Sequence, residues 1–198
     1  MVRADSNIQT LDDLSGHTVS IGAEESGTER NATQILEFAG MPSSLVATKN
    51  LDYIEATKEL KAGDIDAFFC TAGLTTTVID ELSKECDIRL IPLTDTVISK
   101  MLESSSAYTS EVIPAGTYTG QDTAISTIGV KSVLITKSDV SDDTIEKLTS
   151  LLFEKENELS YSNSLKLELT YDFATDGIPI PFHNGAKRYY EVCGYSIN

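Results

Sequence analysis

GAEESGTERNA, residues 22–32, joins a strand pattern to a helix pattern and so indicates the class of fold. The residues before it, HTVSIG at 17–22, are β-branched and alternating, which predicts a strand. After it, apolar residues recur at the spacing of an amphipathic helix, at Ala32, Ile35, Leu36 and Ala39. A strand that leads through a short loop into a helix is the repeating unit of α/β proteins.

The same alternation continues through the first hundred residues. Further strands are predicted at 44–48, 65–70 and 87–91. Helices are predicted at 28–39, 53–62, 74–84 and 94–104. Units of this length place right-handed crossovers on a parallel sheet. We therefore predict an α/β fold, with a mostly parallel sheet flanked by helices.

The second half of the chain has a different pattern. Residues 107–123 are rich in Thr, Gly, Pro and Tyr without periodicity, which predicts a long ordered loop. Residues 124–136 are predicted to be extended. A helix is predicted at 141–159, with Ser141 as its N-cap, and a final short helix at 186–193.

Charge and cysteine content exclude several classes of function. The net charge of −16 argues against nucleic acid and anionic membranes, which are bound through basic patches. It does not exclude a small anion, because a few aimed amides outweigh a diffuse, screened field. The three cysteines form no CxxC pair, so no metal site is predicted.

Signatures of catalysis are also missing from the sequence. None of the motifs GxGxxG, GxxxxGK[ST], GxSxG or HExxH occurs. The acidic pairs at 12–13 and 24–25 are adjacent in sequence, so their side chains point apart and form no acid–base dyad. We predict no catalytic residue and no cofactor.

Two junctions between a strand and a helix form the candidate site. Ligands of open parallel sheets bind beyond the carboxyl ends of the strands. At the first junction Ser26, Gly27, Thr28 and Glu29 offer amides and hydroxyls to an anion. At the second, Thr71, Ala72 and Gly73 directly follow the strand at 65–70. The alternative, that Ser26 or Thr28 only caps a helix, stays open at this point.

A third element of the candidate site is the loop PAGTYTGQ, residues 114–121. It contains two glycines, lacks periodicity and lies between two α/β segments, which is typical of hinge loops. We predict that it contributes Thr117 or Tyr118 to the site. The alternative is a surface connector.

Four stretches, at 19–41, 60–76, 113–136 and 176–194, resemble one family. They read VSIGAEESGTERNATQILEFAGM, LKAGDIDAFFCTAGLTT, IPAGTYTGQDTAISTIGVKSVLIT and DGIPIPFHNGAKRYYEVCG. In this order they resemble the TAXI family, the solute-binding receptors of TRAP (tripartite ATP-independent periplasmic) transporters. Asn184 stands where that family usually has proline.

The resemblance implies a type II periplasmic-binding-protein fold, in which two α/β lobes clamp a ligand. Residues 10–113 would be the second lobe, 114–123 a hinge loop, and 124–198 a return strand and C-terminal helices that belong partly to the first lobe. The signal sequence and nearly all of the first lobe are expected to lie outside this chain. The protein would be extracytoplasmic, either periplasmic or a cell-surface lipoprotein.

The resemblance also implies a ligand, a partner and a set of binding residues. The ligand would be a small organic anion, an amino acid or a carboxylate such as glutamate, which is delivered to TRAP membrane permease subunits. The implied binding residues are Ser26, Gly27, Thr28, Glu29, Asn31, Thr71, Ala72, Gly73, Thr117 and Tyr118.

Two other functions use the same kind of fold. An enzyme would need a nucleophile or an acid–base pair in the cleft, and turnover of a substrate would reveal it. The effector-sensing domain of a transcription regulator would be joined to a basic helix-turn-helix. A signal peptide or lipoprotein motif in an upstream sequence would instead favour transport.

The resemblance leads to a prediction about self-association. Residues 124–159 would lose part of their packing surface without the first lobe, and an unpaired strand edge is a template for another chain. We expect association through the C-terminal half, by strand exchange. Light scattering at micromolar concentration measures it, and a strict monomer with residues 124–159 well packed would contradict it.

Overall fold

A computed structural model describes residues 1–154 and 169–197 of the chain. The chain divides into two compact units, Met1–Gly129 and Val130–Asn198. The first unit thus includes the residues before position 10 and the 114–129 segment, whereas the predicted lobe spans 10–113. The assignment of lobes and hinge stays a prediction.

The first unit is built on a five-stranded sheet in the order β3-β2-β4-β1-β5. Its strands are β1 (Val2–Arg3), β2 (Thr18–Ser20), β3 (Ala47–Lys49), β4 (Ala67–Phe68) and β5 (Ile88–Arg89). Strand β2 pairs in parallel with β3 and β4, whereas β1 pairs antiparallel with β4 and β5. The predicted α/β class is confirmed, and the sheet is mixed because β1, which was not predicted, runs against the other four strands.

Four helices flank this sheet, together with a 3₁₀ helix at Asp12–Leu14. They are α1 (Gly27–Phe38), α2 (Tyr53–Ala62), α3 (Thr77–Glu85) and α4 (Asp95–Ser104). Ala67 packs in the cluster of α1 and α4, and Phe68 in that of α2 and α3. Since successive strand residues point to opposite faces, the helices cover both faces of the sheet.

Local capping signals place the ends of these helices. Asp52 and Glu55 form a capping box at the start of α2, and Gly63 ends that helix in the left-handed conformation with φ 83°. Thr94 accepts a hydrogen bond from the Val97 amide at the start of α4. Helices α1, α2 and α4 therefore lie where the sequence predicts them, and α3 begins three residues later than predicted.

The prediction of a loop at residues 107–123 is wrong for the first half of that segment. Residues Tyr108–Ile113 form strand β6, which pairs with β7 (Ile125–Val130) in a two-stranded sheet. Most side chains of β6 are at least partly exposed, so the strand lacks the alternation that marks a half-buried strand. The predicted extended stretch at 124–136 is confirmed as a strand only in β7.

The second unit contains three described helices, α5 (Asp142–Glu154), α6 (Tyr171–Thr175) and α7 (Asn184–Val192). The Ser141 hydroxyl accepts from the Thr144 amide, as expected of the predicted N-cap. The helix predicted at 141–159 is confirmed as far as Glu154, and its last five residues lie outside the described residues. Helix α7 begins two residues earlier than predicted, and α6 was not predicted.

An extended segment of the second unit exposes apolar side chains. Val133, Leu134 and Ile135 are 38%, 68% and 72% exposed. Backbone groups of residues 132–136 make no hydrogen bond to any other part of the described chain. These features fit the predicted self-association, which stays a prediction. Within the described residues no helix is long and apolar enough to cross a membrane.

Helices α5 and α7 approach closely at Gly185. A Cβ at this position would overlap the Asp142 carbonyl oxygen and lie 2.9 Å from the Glu146 amide nitrogen. We expect Gly185→Ala to lower the free energy of unfolding by about 1–3 kcal/mol, because backbone atoms must shift. Urea unfolding followed by circular dichroism measures this.

The matched control for that substitution is Gly27→Ala. A Cβ at Gly27 meets nothing within 4 Å, and the residue is helical. This variant should keep or slightly raise stability, by about 0.4–1 kcal/mol. Equal stability of the two variants would mean that α5 and α7 separate at little cost.

Candidate functional site

The hydroxyl group of Tyr53 connects the two predicted junctions. Tyr53 is the first residue of α2, and its Oη lies 2.6 Å from Thr28 Oγ1. It donates to the Thr71 carbonyl oxygen at 2.9 Å and accepts from the Thr71 amide at 3.2 Å. A phenol has one proton, which goes to the carbonyl, so Thr28 must donate to Tyr53.

The contacts around Thr28 include some that the sequence analysis did not predict. Its side chain is buried and its hydroxyl proton is used by Tyr53. A Cβ on Gly22, which has φ 101°, would lie 2.7 Å from Thr28 Cβ, so this turn requires glycine. Direct contact between the Thr28 hydroxyl and a solute stays a prediction, and the geometry assigns that hydroxyl a positioning role.

The N-terminus of α1 presents unpaired donors. Ser26 Oγ caps the helix by accepting from the Glu29 amide at 3.1 Å, and its own proton remains available to donate. The amides of Gly27 and Thr28 have no hydrogen-bond partner within the described chain. These N–H groups lie at the positive end of the helix dipole, which is where anions bind.

Glu29 supports the loop that leads into α1. Its carboxylate accepts from the Glu25 amide at 2.6 Å and from Asn50 Nδ2 at 2.8 Å. Asn50 Nδ2 is also 3.1 Å from the Gly22 carbonyl oxygen. Glu25 has φ 61°, so these bonds hold a backbone conformation that is unfavourable for a residue with a side chain. A role of Glu29 in solute contact stays a prediction.

The second junction is tied to α1 through Asn31. Its Nδ2 donates to Thr71 Oγ1 at 3.2 Å, and its Oδ1 accepts from the Tyr108 hydroxyl at 2.8 Å. Burial raises the pKa of Tyr108, which keeps this phenol a donor. Asn31 and Thr71, predicted from separate motifs, are thus brought together, and Tyr108 is a neighbour that the sequence analysis missed.

The loop at 114–121 lies beside the second junction. Tyr118 is buried and lines a cavity together with Ala72 and Gly73. Burial is the main cause that raises the pKa of the Tyr118 phenol. Thr117 Oγ1 donates to the Pro114 carbonyl at 2.7 Å, within the loop itself. Of the two residues predicted here, the structure brings Tyr118 to the cavity.

Gln121 holds this loop and was not predicted. Its Nε2 lies 2.9 Å from the Pro114 carbonyl oxygen and 3.0 Å from that of Thr123, and its Oε1 accepts from the Tyr118 amide at 3.3 Å. A buried amide that pairs with several backbone groups fixes a loop that has no secondary structure of its own. The only feature of the sequence that could have indicated this role is a glutamine in a turn rich in glycine.

The cavity has a volume of about 150 Å³ and lies where strands β4 and β5 end. Its wall is largely apolar and includes Phe68, Leu74, Ile79, Leu90, Ile113 and Tyr118. Cys70 also lines it, and burial raises the pKa of its thiol to about 11, so the thiol is neutral at pH 7. No described residues form a cluster of three or more His, Cys, Asp or Glu that could hold a metal ion.

Comparison with known proteins defines the family. Residues 1–194 match the NMT1-like family, and the chain belongs to that family. Its fold is similar to that of the periplasmic aliphatic sulphonate binding protein SsuA from Escherichia coli, with a TM-score of 0.42 and 15% identity. That alignment covers 97% of this chain, which spans 60% of SsuA. The TAXI resemblance is finer than the family match and stays a prediction.

The bonds of the Tyr53 hydroxyl lead to a prediction about stability. Tyr53→Phe removes the acceptor of Thr28 and both bonds to Thr71. We expect a loss of about 1 kcal/mol of unfolding free energy, since Thr71 is exposed and water replaces part of the bonding. Thr28→Val should cost a similar amount, as measured by urea unfolding.

The double variant tests whether these residues act as one unit. Because both substitutions remove the same bond, the double variant should lose at least about 0.5 kcal/mol less than the sum of the two. The pair Thr33→Val and Thr57→Val lies on the same two helices and serves as control, with Thr33 exposed and Thr57 half-buried. It should be additive, because the Thr57 hydroxyl donates to the Ile54 carbonyl oxygen of its own helix and not to α1. Additivity at Tyr53 and Thr28 would contradict the proposed hydrogen bond.

Proposed function

We propose that this chain is the ligand-binding part of an extracytoplasmic solute-binding protein. It captures a small organic anion, an amino acid or a carboxylate such as glutamate, and the whole protein delivers it to a TRAP-type membrane permease. The observation that carries the proposal is the pair of unpaired amides at Gly27 and Thr28, held beside the Thr71 junction by Tyr53.

The amides and the helix dipole explain how a strongly acidic protein attracts an anion. The net charge of −16 is spread over the surface and screened by salt, whereas the amides act at contact distance. Their orientation is fixed before the ligand arrives, so binding does not have to order them. A carboxylate at this position can accept hydrogen bonds from the Gly27 and Thr28 amides and from the Ser26 hydroxyl.

Transport follows from binding without any chemical step. In the proposed whole protein the solute bridges two lobes and shifts the population from an open to a closed form. The closed form then docks on the permease. The chain's own contribution is the anion site and the cavity beside it.

A substitution at Gly27 isolates the anion site from the rest of the fold. Proline is favourable at the first position of a helix, and the preceding Ser26, with φ −77° and ψ 159°, has the extended conformation that proline requires. Gly27→Pro therefore removes one amide proton at little structural cost. We expect affinity for glutamate and related carboxylates, measured by calorimetry, to fall by about ten- to a hundredfold.

Gly27→Ala is the matched control, because it adds a side chain in open space and keeps the amide. It should bind as the unsubstituted chain does. Equal affinities of the alanine and proline variants would rule out the Gly27 amide as a ligand contact. Failure of every carboxylate to bind any of the three proteins would reject the proposed function for this chain.

A further inference from the structure

The cavity beside the anion site differs in chemistry from the N-terminus of α1. The described residues that form its wall include Phe68, Leu74, Ile79 and Ile113, and they supply no ionised side chain to it. Met1 also lines it, and burial lowers the pKa of its α-amino group to about 6, so this amine is largely uncharged at pH 7. Cys70 contributes a neutral thiol. A second charged group on a solute would therefore lose its hydration here without gaining a partner, which is costly.

The anion site and the cavity are connected through the loop after β4. Thr71 is bonded to Tyr53, which is bonded to Thr28. The next residue in the chain, Ala72, lines the cavity, and consecutive Cα atoms are only about 3.8 Å apart. A solute that accepts hydrogen bonds from the α1 amides at one end would have to pass Thr71 and Ala72 to reach the cavity with the other.

We propose that the cavity selects monocarboxylates with an apolar tail over dicarboxylates of the same length, which narrows the proposed ligand class to acids other than glutamate. This inference rests on the proposed function, whose anion site holds the carboxylate. A cavity of about 150 Å³ lined by Leu, Ile and Phe is large enough for benzene, so it takes a branched aliphatic or phenyl group. Burial of the apolar tail in the cavity favours one acid over another, and hydrogen bonds to the N-terminus of α1 orient the carboxylate.

A homologous series of straight-chain acids from acetate to octanoate tests the proposal. We expect affinity to rise about fourfold with each methylene group that enters the cavity and to level off at about six apolar carbons. Pentanoate should bind at least tenfold more tightly than glutarate, which has the same number of carbons and a second carboxylate. Titration of the isotope-labelled chain, followed by NMR, measures dissociation constants in the millimolar range. The same spectra identify the backbone amides whose signals shift when an acid is added.

Variants with matched exposure show whether the cavity is responsible. Leu74 lines the cavity and is 52% exposed, whereas Leu45 is 45% exposed and lies away from it. Leu74→Ala should lower the affinity for pentanoate about three- to tenfold and leave that for acetate unchanged. Leu45→Ala should change neither.

The amide shifts separate the two ways of failing. If no acid shifts the Gly27 and Thr28 amides, the proposed function fails together with the inference. If those amides shift but affinity is flat along the series, glutarate binds as well as pentanoate, or Leu74→Ala has no effect, the anion site stands and the apolar selection is wrong.

Discussion

The hydroxyl group of Tyr53 is the contact on which the geometry of the site depends. One phenol oxygen uses its single proton and both acceptor positions on Thr28 and the two backbone groups of Thr71. These partners lie 25 and 18 residues away, on α1 and in the loop after β4. Because the Thr28 side chain is buried, a shift of the first junction would leave its hydroxyl without this partner, whereas water can replace part of the bonding of the exposed Thr71.

The free donors of α1 belong to its first turn. The Thr28 hydroxyl is bonded to Tyr53, and the amides of Gly27 and Thr28 have no hydrogen-bond partner within the described residues. Glu29 and Asn50 hold the preceding loop, in which Glu25 has a positive φ, so the strain of that residue is balanced by hydrogen bonds. In the proposed function an anion would therefore meet donors that are already in place.

The sequence predicted those parts of the fold whose signals are local. Helix α2 is an example, because Asp52, Glu55 and Gly63 mark its ends within a dozen residues. Strand β1 is too short for a pattern and exists only through its pairing with β4 and β5. Strand β6 pairs with one neighbour and has no buried face to produce alternation.

The candidate site divides in the same way. Glycines and hydroxyl residues between strand and helix pointed to both junctions, because parallel strands end at one edge of a sheet. Tyr53 precedes Ala56 and Leu60 at helical spacing on α2, which the sequence alone displays. The destination of its hydroxyl depends on two loops that approach only in the folded chain, and periodicity carries no information about that approach. Tyr108 was missed for the same reason, because its partner Asn31 lies 77 residues away. The bonds of Gln121 are local to its own loop, and that loop has no periodicity to mark them.

The position of the apolar cavity next to these donors has a physical consequence for selectivity. Hydrogen bonds to a carboxylate are similar for every carboxylic acid, so the α1 amides alone would bind many anions with little discrimination. In the proposed binding mode, discrimination would come from the part of the solute that differs, and this part would meet Phe68, Ile79 and Tyr118, which line the cavity. The backbone at Tyr118 is held without a solute, because the Gln121 side chain accepts from the Tyr118 amide and donates to the Pro114 carbonyl oxygen. The Tyr118 loop is thus held by the local hydrogen bonds of Gln121, whereas the two junctions are held by the long-range bonds of Tyr53. In the proposed binding mode, recognition of charge and of apolar shape therefore depends on two separate sets of hydrogen bonds.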